Sequence, residues 1–287
     1  MPKSSLDSTH KGTILCGAFL LLRCFFLPFN RVIALLLLAI TLGIATFTAV
    51  LTLPAIAALV LILMATLALQ KYRQQTVLAA GLECLLIVVS VALLFHFIPG
   101  FNNLKVLDKV QIGPLSAPFS MYYNLDKALI PFILASCLPG LFVARKHPSV
   151  GKAGWIALVF AIPALLFLAV ALGGLKIELH APAWIGTFVI GNLFFVCLVE
   201  EAFFRCYLQQ RLSQWLGALP ALIIASLLFG AAHFPGGPLL MVFAAMAGVI
   251  YGLAWMWSGR LWVAVAFHFV LNLVHLLFFT YPLALPQ

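Results

Sequence analysis

Apolar residues run through this chain in long blocks, broken by short polar or turn-forming stretches. The blocks lie near 32–51, 54–70, 76–98, 127–144, 153–174, 184–207, 218–233, 237–257 and 261–280. A helix of about 20 apolar residues crosses about 30 Å of hydrocarbon. The alternating pattern of a membrane barrel is absent, so the pattern predicts an all-α polytopic bundle with its backbone groups satisfied inside each helix. An earlier run at 13–30 is short and carries Arg23, so the expected number of membrane helices is 8–10, with nine preferred. The connections are tight, Pro54 is placed at a turn, and the longest loop (99–126) shows no evident chemistry.

Composition agrees with this pattern. The chain of 287 residues is 65% hydrophobic and 8% charged, with mean hydropathy +1.18. A soluble domain carries about 25% charge. The net charge of +9 does not point to nucleic acid, because the basic residues are spread over short loops where they set orientation. With nine helices, one side collects twelve Lys and Arg and the other collects Lys105, Lys109, Lys127 and Lys176. The richer side holds the amino terminus and is expected to be cytoplasmic. Six cysteines, at 16, 24, 84, 137, 197 and 206, lie in apolar segments with no C-x-x-C pair, as free packing residues do.

A few polar residues interrupt the carboxyl-terminal blocks. Glu200 and Glu201 are adjacent inside a span, in a chain with seven acidic residues in all. A carboxylate at mid-bilayer costs about 2.5–3.5 kcal/mol on insertion scales, so it implies a function or a compensating partner. Arg205 stands four residues after Glu201 on the same helical face, which predicts a Glu201–Arg205 pair and leaves Glu200 facing a cavity. His233 follows Gly230, Ala231 and Ala232, and Pro235 with two glycines is expected to end that helix near His233. His268 and Asn272 share a face of the last span, and His275, one turn beyond Asn272, is expected to support or bound that site.

A carboxylate, two imidazoles and a carboxamide in a dry cavity suit a hydrolase that activates water and stabilises an oxyanion. The same groups, Glu200, His233 and His268, also suit zinc with an open position, and their spacing does not choose between the two. The zinc signature H-E-x-x-H is absent, as are G-x-G-D and G-x-S-G.

Three motifs occur in order: Glu-Glu-x-x-x-Arg at Glu200, Glu201 and Arg205, Phe-x-x-x-His at Phe229 and His233, and His-x-x-x-Asn at His268 and Asn272. Together they resemble the CPBP (Abi) family of intramembrane proteases. That family includes CAAX prenyl endopeptidases and bacterial members linked to bacteriocin processing or immunity. The resemblance lies within 184–280, so residues 127–287 are read as a protease-like core and residues 1–126 as amino-terminal helices of no assigned role. It implies Glu200 and His233 as the pair that activates water and His268 and Asn272 as the oxyanion side. Glu201, Arg205 and Phe229 would be supports.

The implied substrate is a peptide or membrane protein in the bilayer, of CAAX type or of leader or bacteriocin type. No cofactor is assigned, with zinc as the alternative. The implied location is the plasma membrane, the inner membrane in a bacterium. Two other readings remain. One is a non-catalytic immunity or scaffold protein. The other is a proton-coupled transporter, to which Glu83 and His96 lend slight support.

Overall fold

The computed structural model describes residues 31–145 and 149–285. The 13–30 run therefore lies outside the described residues. The chain divides into two compact units. The first takes in residues up to Lys105 together with Tyr122–Gly140, and the second Val106–Met121 and Leu141 onward.

The first unit contains α1 (Arg31–Phe47), α2 (Leu53–Lys71), α3 (Thr76–Leu94) and α4 (Leu125–Cys137). Pro54 stands in the first turn of α2, where its missing N–H costs nothing. Helices α2, α3 and α4 pack on one another. Asp126, in the first turn of α4, is buried and joins three groups. It accepts hydrogen bonds from Asn103 Nδ2 (3.0 Å) and the Lys127 N–H (2.9 Å), and it pairs with His96 Nδ1 at 2.5 Å. His96 is thus engaged as the partner of a helix-start carboxylate.

The second unit contains α5 (Lys152–Ala171), α6 (Ile185–Leu216), α7 (Ala218–Ala231), α8 (Gly237–Ser258) and α9 (Leu261–Phe278). Helices α7 and α8 pack most closely, and α9 lies against α8, α5 and α6. Gly230 makes the α7–α8 approach possible, because a Cβ there would stand 2.5 Å from the Met241 carbonyl oxygen. The 99–126 segment, expected as a loop, forms two short paired strands, β1 (Leu104–Val110) and β2 (Phe119–Tyr123). Leu107 and Met121 are buried with Phe188 of α6 and Leu276 of α9.

A polar knot closes one end of this unit. The Glu178 carboxylate accepts from the Leu115 N–H (2.8 Å) and the Ser116 hydroxyl (2.5 Å). His180 Nε2 lies 3.0 Å from the same carboxylate, and its Nδ1 donates to the Leu276 carbonyl at 2.7 Å. Burial pushes the Glu178 carboxyl up, but the Ser116 and Leu115 hydrogen bonds and the neighbouring His180 outweigh it and hold the group below its usual range. The knot ties the end of α9 to the strand-bearing segment.

Among the described residues, six helical segments are long and apolar enough to cross a membrane: α2, α3, α5, α6, α9, and α8 with the short turn before it. The chain is a multi-pass integral membrane protein. α1 and α7 are shorter, and the 14 residues of α7 rise only about 21 Å. Thus α7 stops short of a full crossing, and the break falls at His233, as Pro235 and the glycines predict.

Candidate active site

The acidic residues sit on an irregular helix. In α6, Asn192–Cys197 and Ala202–Gln209 are π-helical, with a single α turn, Leu198–Glu201, between them. A π turn brings residues five apart into register, and such turns recur at functional sites. Here it sets Asn192 beside Cys197, whose thiol donates to Asn192 Oδ1 at 3.1 Å. The two glutamates fall in the α turn between the wide segments.

Glu201 is fully buried and both of its oxygens are engaged. Oε2 accepts from Arg205 Nε at 3.0 Å, which is the pair the spacing predicts. Oε1 accepts from His268 Nδ1 at 2.9 Å, a contact 67 residues distant that spacing does not reveal. A carboxylate accepts only, so the His268 proton that it holds is on Nδ1 and the ring's Nε2 is the atom left for other chemistry. The ring lies flat on Tyr251 of α8, with centroids 4.5 Å apart and planes at 12°. It also meets the Cys197 thiol.

Glu200 is half-buried, and its Oε2 has no hydrogen-bond partner among the described residues. An unpartnered carboxylate oxygen in a protein interior is costly, so its retention calls for an explanation. His233 stands where α7 has just ended. Its Nδ1 donates to the Phe229 carbonyl at 2.8 Å, which leaves the Nε2 lone pair available.

Phe229 is the hub of the aromatic packing. Its ring lies 4.8 Å from His233, 5.8 Å from His268, 5.9 Å from Tyr251 and 5.1 Å from Phe204, centroid to centroid. The Arg205 guanidinium carbon lies 5.3 Å over the same ring. One side chain therefore orients both imidazoles and covers the buried cation. Arg205 fits because α8 offers Gly248 and Gly252 opposite it. A Cβ on either would come within 3.3 Å of a guanidinium nitrogen.

Asn272 projects from α9 one turn beyond His268. Its Nδ2 donates to Asn192 Oδ1 at 3.2 Å and lies 3.7 Å from Cys197 Sγ. His275 takes no part in this network. Its Nε2 bonds the Thr280 carbonyl at 3.0 Å and its ring meets Tyr281.

The structure therefore links Glu201, Arg205, His268 and Phe229 directly, joins His233 to them through Phe229, and joins Asn272 through Cys197. Tyr251, Asn192 and Cys197 belong to the same cluster and were not singled out in the sequence. A buried asparagine in an apolar block was the available signal for Asn192. Tyr251 and Cys197 gave none.

Among the described residues, no three His, Cys, Asp or Glu side chains gather closely enough to hold a metal. Glu200, His233 and His268 are thus not gathered as such a group, while the Nδ1 bond to Glu201 leaves the His268 Nε2 unassigned.

Comparison with known families decides which kind of site this resembles. Residues 182–274 match the Rce1-like family, type II CAAX prenyl endopeptidase. The match agrees with the CPBP resemblance. It spans all three motifs, from Glu200 to Asn272. Searches of curated proteins and of solved structures give no match.

Proposed function

We propose that this protein is an intramembrane endopeptidase in which Glu200 and His233 activate water, with His268 and Asn272 on the oxyanion side. The observation that carries the reading is the contrast between the adjacent acids. Glu201 is saturated by Arg205 and His268, whereas Glu200 keeps an unpartnered oxygen. A general base needs a free lone pair within reach of water. Glu200 Oε2 and the His233 Nε2 each keep an unengaged lone pair.

In this mechanism Glu200 takes a proton from water as the hydroxyl oxygen attacks the scissile carbonyl. His233 holds that water through its Nε2 lone pair, and Glu200 then hands the proton it has taken to the leaving amine as the C–N bond breaks. A His268 ring carrying both protons gives one to Glu201 and the other, on Nε2, to the developing oxyanion. Asn272 donates its second Nδ2–H to the same oxygen. Removing one such donor typically costs 10²–10³ in rate, because donors in a dry site are already oriented. Glu201, Arg205 and Phe229 hold the imidazoles in place. The proposed substrate is a peptide delivered by the bilayer, and the amino terminus is placed in the cytoplasm on the basis of the loop charges.

The test is product release from quenched peptides of CAAX type, prenylated and unprenylated, and of leader type. The purified protein is assayed with and without a strong chelator. Cleavage that survives the chelator is the expected result. Loss of cleavage restored by zinc would replace this mechanism with a metal site.

A further inference from the structure

We infer that Asn192 is a positioning residue for the reaction, fixing which way the Asn272 carboxamide faces. The inference rests on the reading of Asn272 as an oxyanion donor. A carboxamide has a donor end and an acceptor end of nearly the same shape. If Asn272 turned over, its Oδ1 would face the developing negative charge and repel it. Something must therefore hold the donor end towards the site.

Asn192 Oδ1 is placed to do this. It accepts from Asn272 Nδ2 at 3.2 Å, and a carbonyl oxygen cannot bond the flipped amide's oxygen. The same oxygen accepts from the Cys197 thiol at 3.1 Å, which fixes the Asn192 amide in turn. Cys197 lies 3.7 Å from Asn272 Nδ2 and also meets His268, so one pair of side chains touches both residues assigned to the oxyanion side. Asn192 and Cys197 are 4% and 0% exposed, so no solvent competes for these contacts. The π turn between them is what aligns the pair. A regular α-helix would swing residues five apart onto different faces. With one Nδ2–H shared between Asn192 Oδ1 and the adjacent Cys197 Sγ, the other is directed away from both and left for the oxyanion.

The experiment compares wild type, Asn192→Leu and Asn192→Asp on a peptide that the wild type cleaves, reading kcat, KM and the unfolding temperature. Leucine removes the acceptor, whereas aspartate keeps an acceptor oxygen at the same reach. The expected result is a kcat lowered about 10–100-fold in Asn192→Leu, a fraction of the loss for removing a donor outright. KM and unfolding temperature stay near wild type, and Asn192→Asp recovers at least about tenfold over leucine, a single hydrogen bond's worth of rate. If Asn192→Leu keeps kcat within about twofold, Asn192 does not position Asn272. The same holds if activity falls only in step with stability and aspartate does no better than leucine. If the wild type cleaves no peptide in the panel, the peptidase reading falls and this inference falls with it. Cleavage that depends on Glu200 but ignores Asn192 overturns the inference alone.

Discussion

Glu201 and Glu200 are neighbours in sequence, yet their surroundings divide the work between them. Glu201 compensates the Arg205 charge and holds the His268 Nδ1–H, so it cannot take up a proton without weakening both contacts. Breaking a buried ion pair by removing one partner costs about 3–5 kcal/mol. Arg205→Met should lower stability by about that amount in detergent unfolding, and Arg205→Lys should not restore it, since lysine lacks the planar group lying over Phe229. Retention of wild-type stability in Arg205→Met would mean that Glu201 does not depend on the pair. His233 is different, being partly exposed and held by a single bond to Phe229. His233→Ala should abolish peptide release while shifting the unfolding midpoint little. An unfolded His233→Ala protein would point to a structural role instead.

At the scale of elements, the helices were legible because the bilayer demands long apolar runs, and their breaks were legible where proline and glycine cluster. The end of α7 near His233 was readable from Pro235, Gly236 and Gly237, and the Glu201–Arg205 pair from its spacing. Three features were not. The strands β1 and β2 lie in the longest connection, 99–126, and bury Leu107 and Met121 with the distant Phe188 and Leu276. The π turns of α6 leave no composition signal, so the Asn192–Cys197 alignment was hidden. The contact of His268 with Glu201 joins helices far apart in sequence, and only packing sets it. Gly248 and Gly252 likewise read as ordinary small residues of a membrane helix until Arg205 is seen against them. At Gly252 a Cβ would stand 2.3 Å from Leu222 Cδ1 and 2.8 Å from Gln209 Oε1. Gly252→Ala should therefore cost about 1–3 kcal/mol as overpacking, measured by thermal unfolding. An unchanged midpoint would show that α7 and α8 can separate freely.

At the scale of the whole molecule, Arg205, counted with the loop charges of the richer side, is buried in the core rather than exposed in a loop. Away from the site, the Glu178 knot predicts an acid limit to stability. Its folded carboxyl titrates below the usual range, so its contribution is fully present above the unfolded value and is lost as pH falls through the folded one. Thermal unfolding in detergent should therefore show the second unit weakening as the pH is lowered through the carboxylate range. Glu178→Gln should be less stable at neutral pH and less sensitive to acid, and an identical acid response in that variant would remove Glu178 from the explanation. The central claim concerns the chemistry of one carboxylate. It is tested most directly by measuring peptide cleavage by wild type and Glu200→Gln side by side, with the unfolding midpoint of each as control. The account predicts a folded Glu200→Gln protein that releases no product. A folded Glu200→Gln protein that cleaves at the wild-type rate would contradict it.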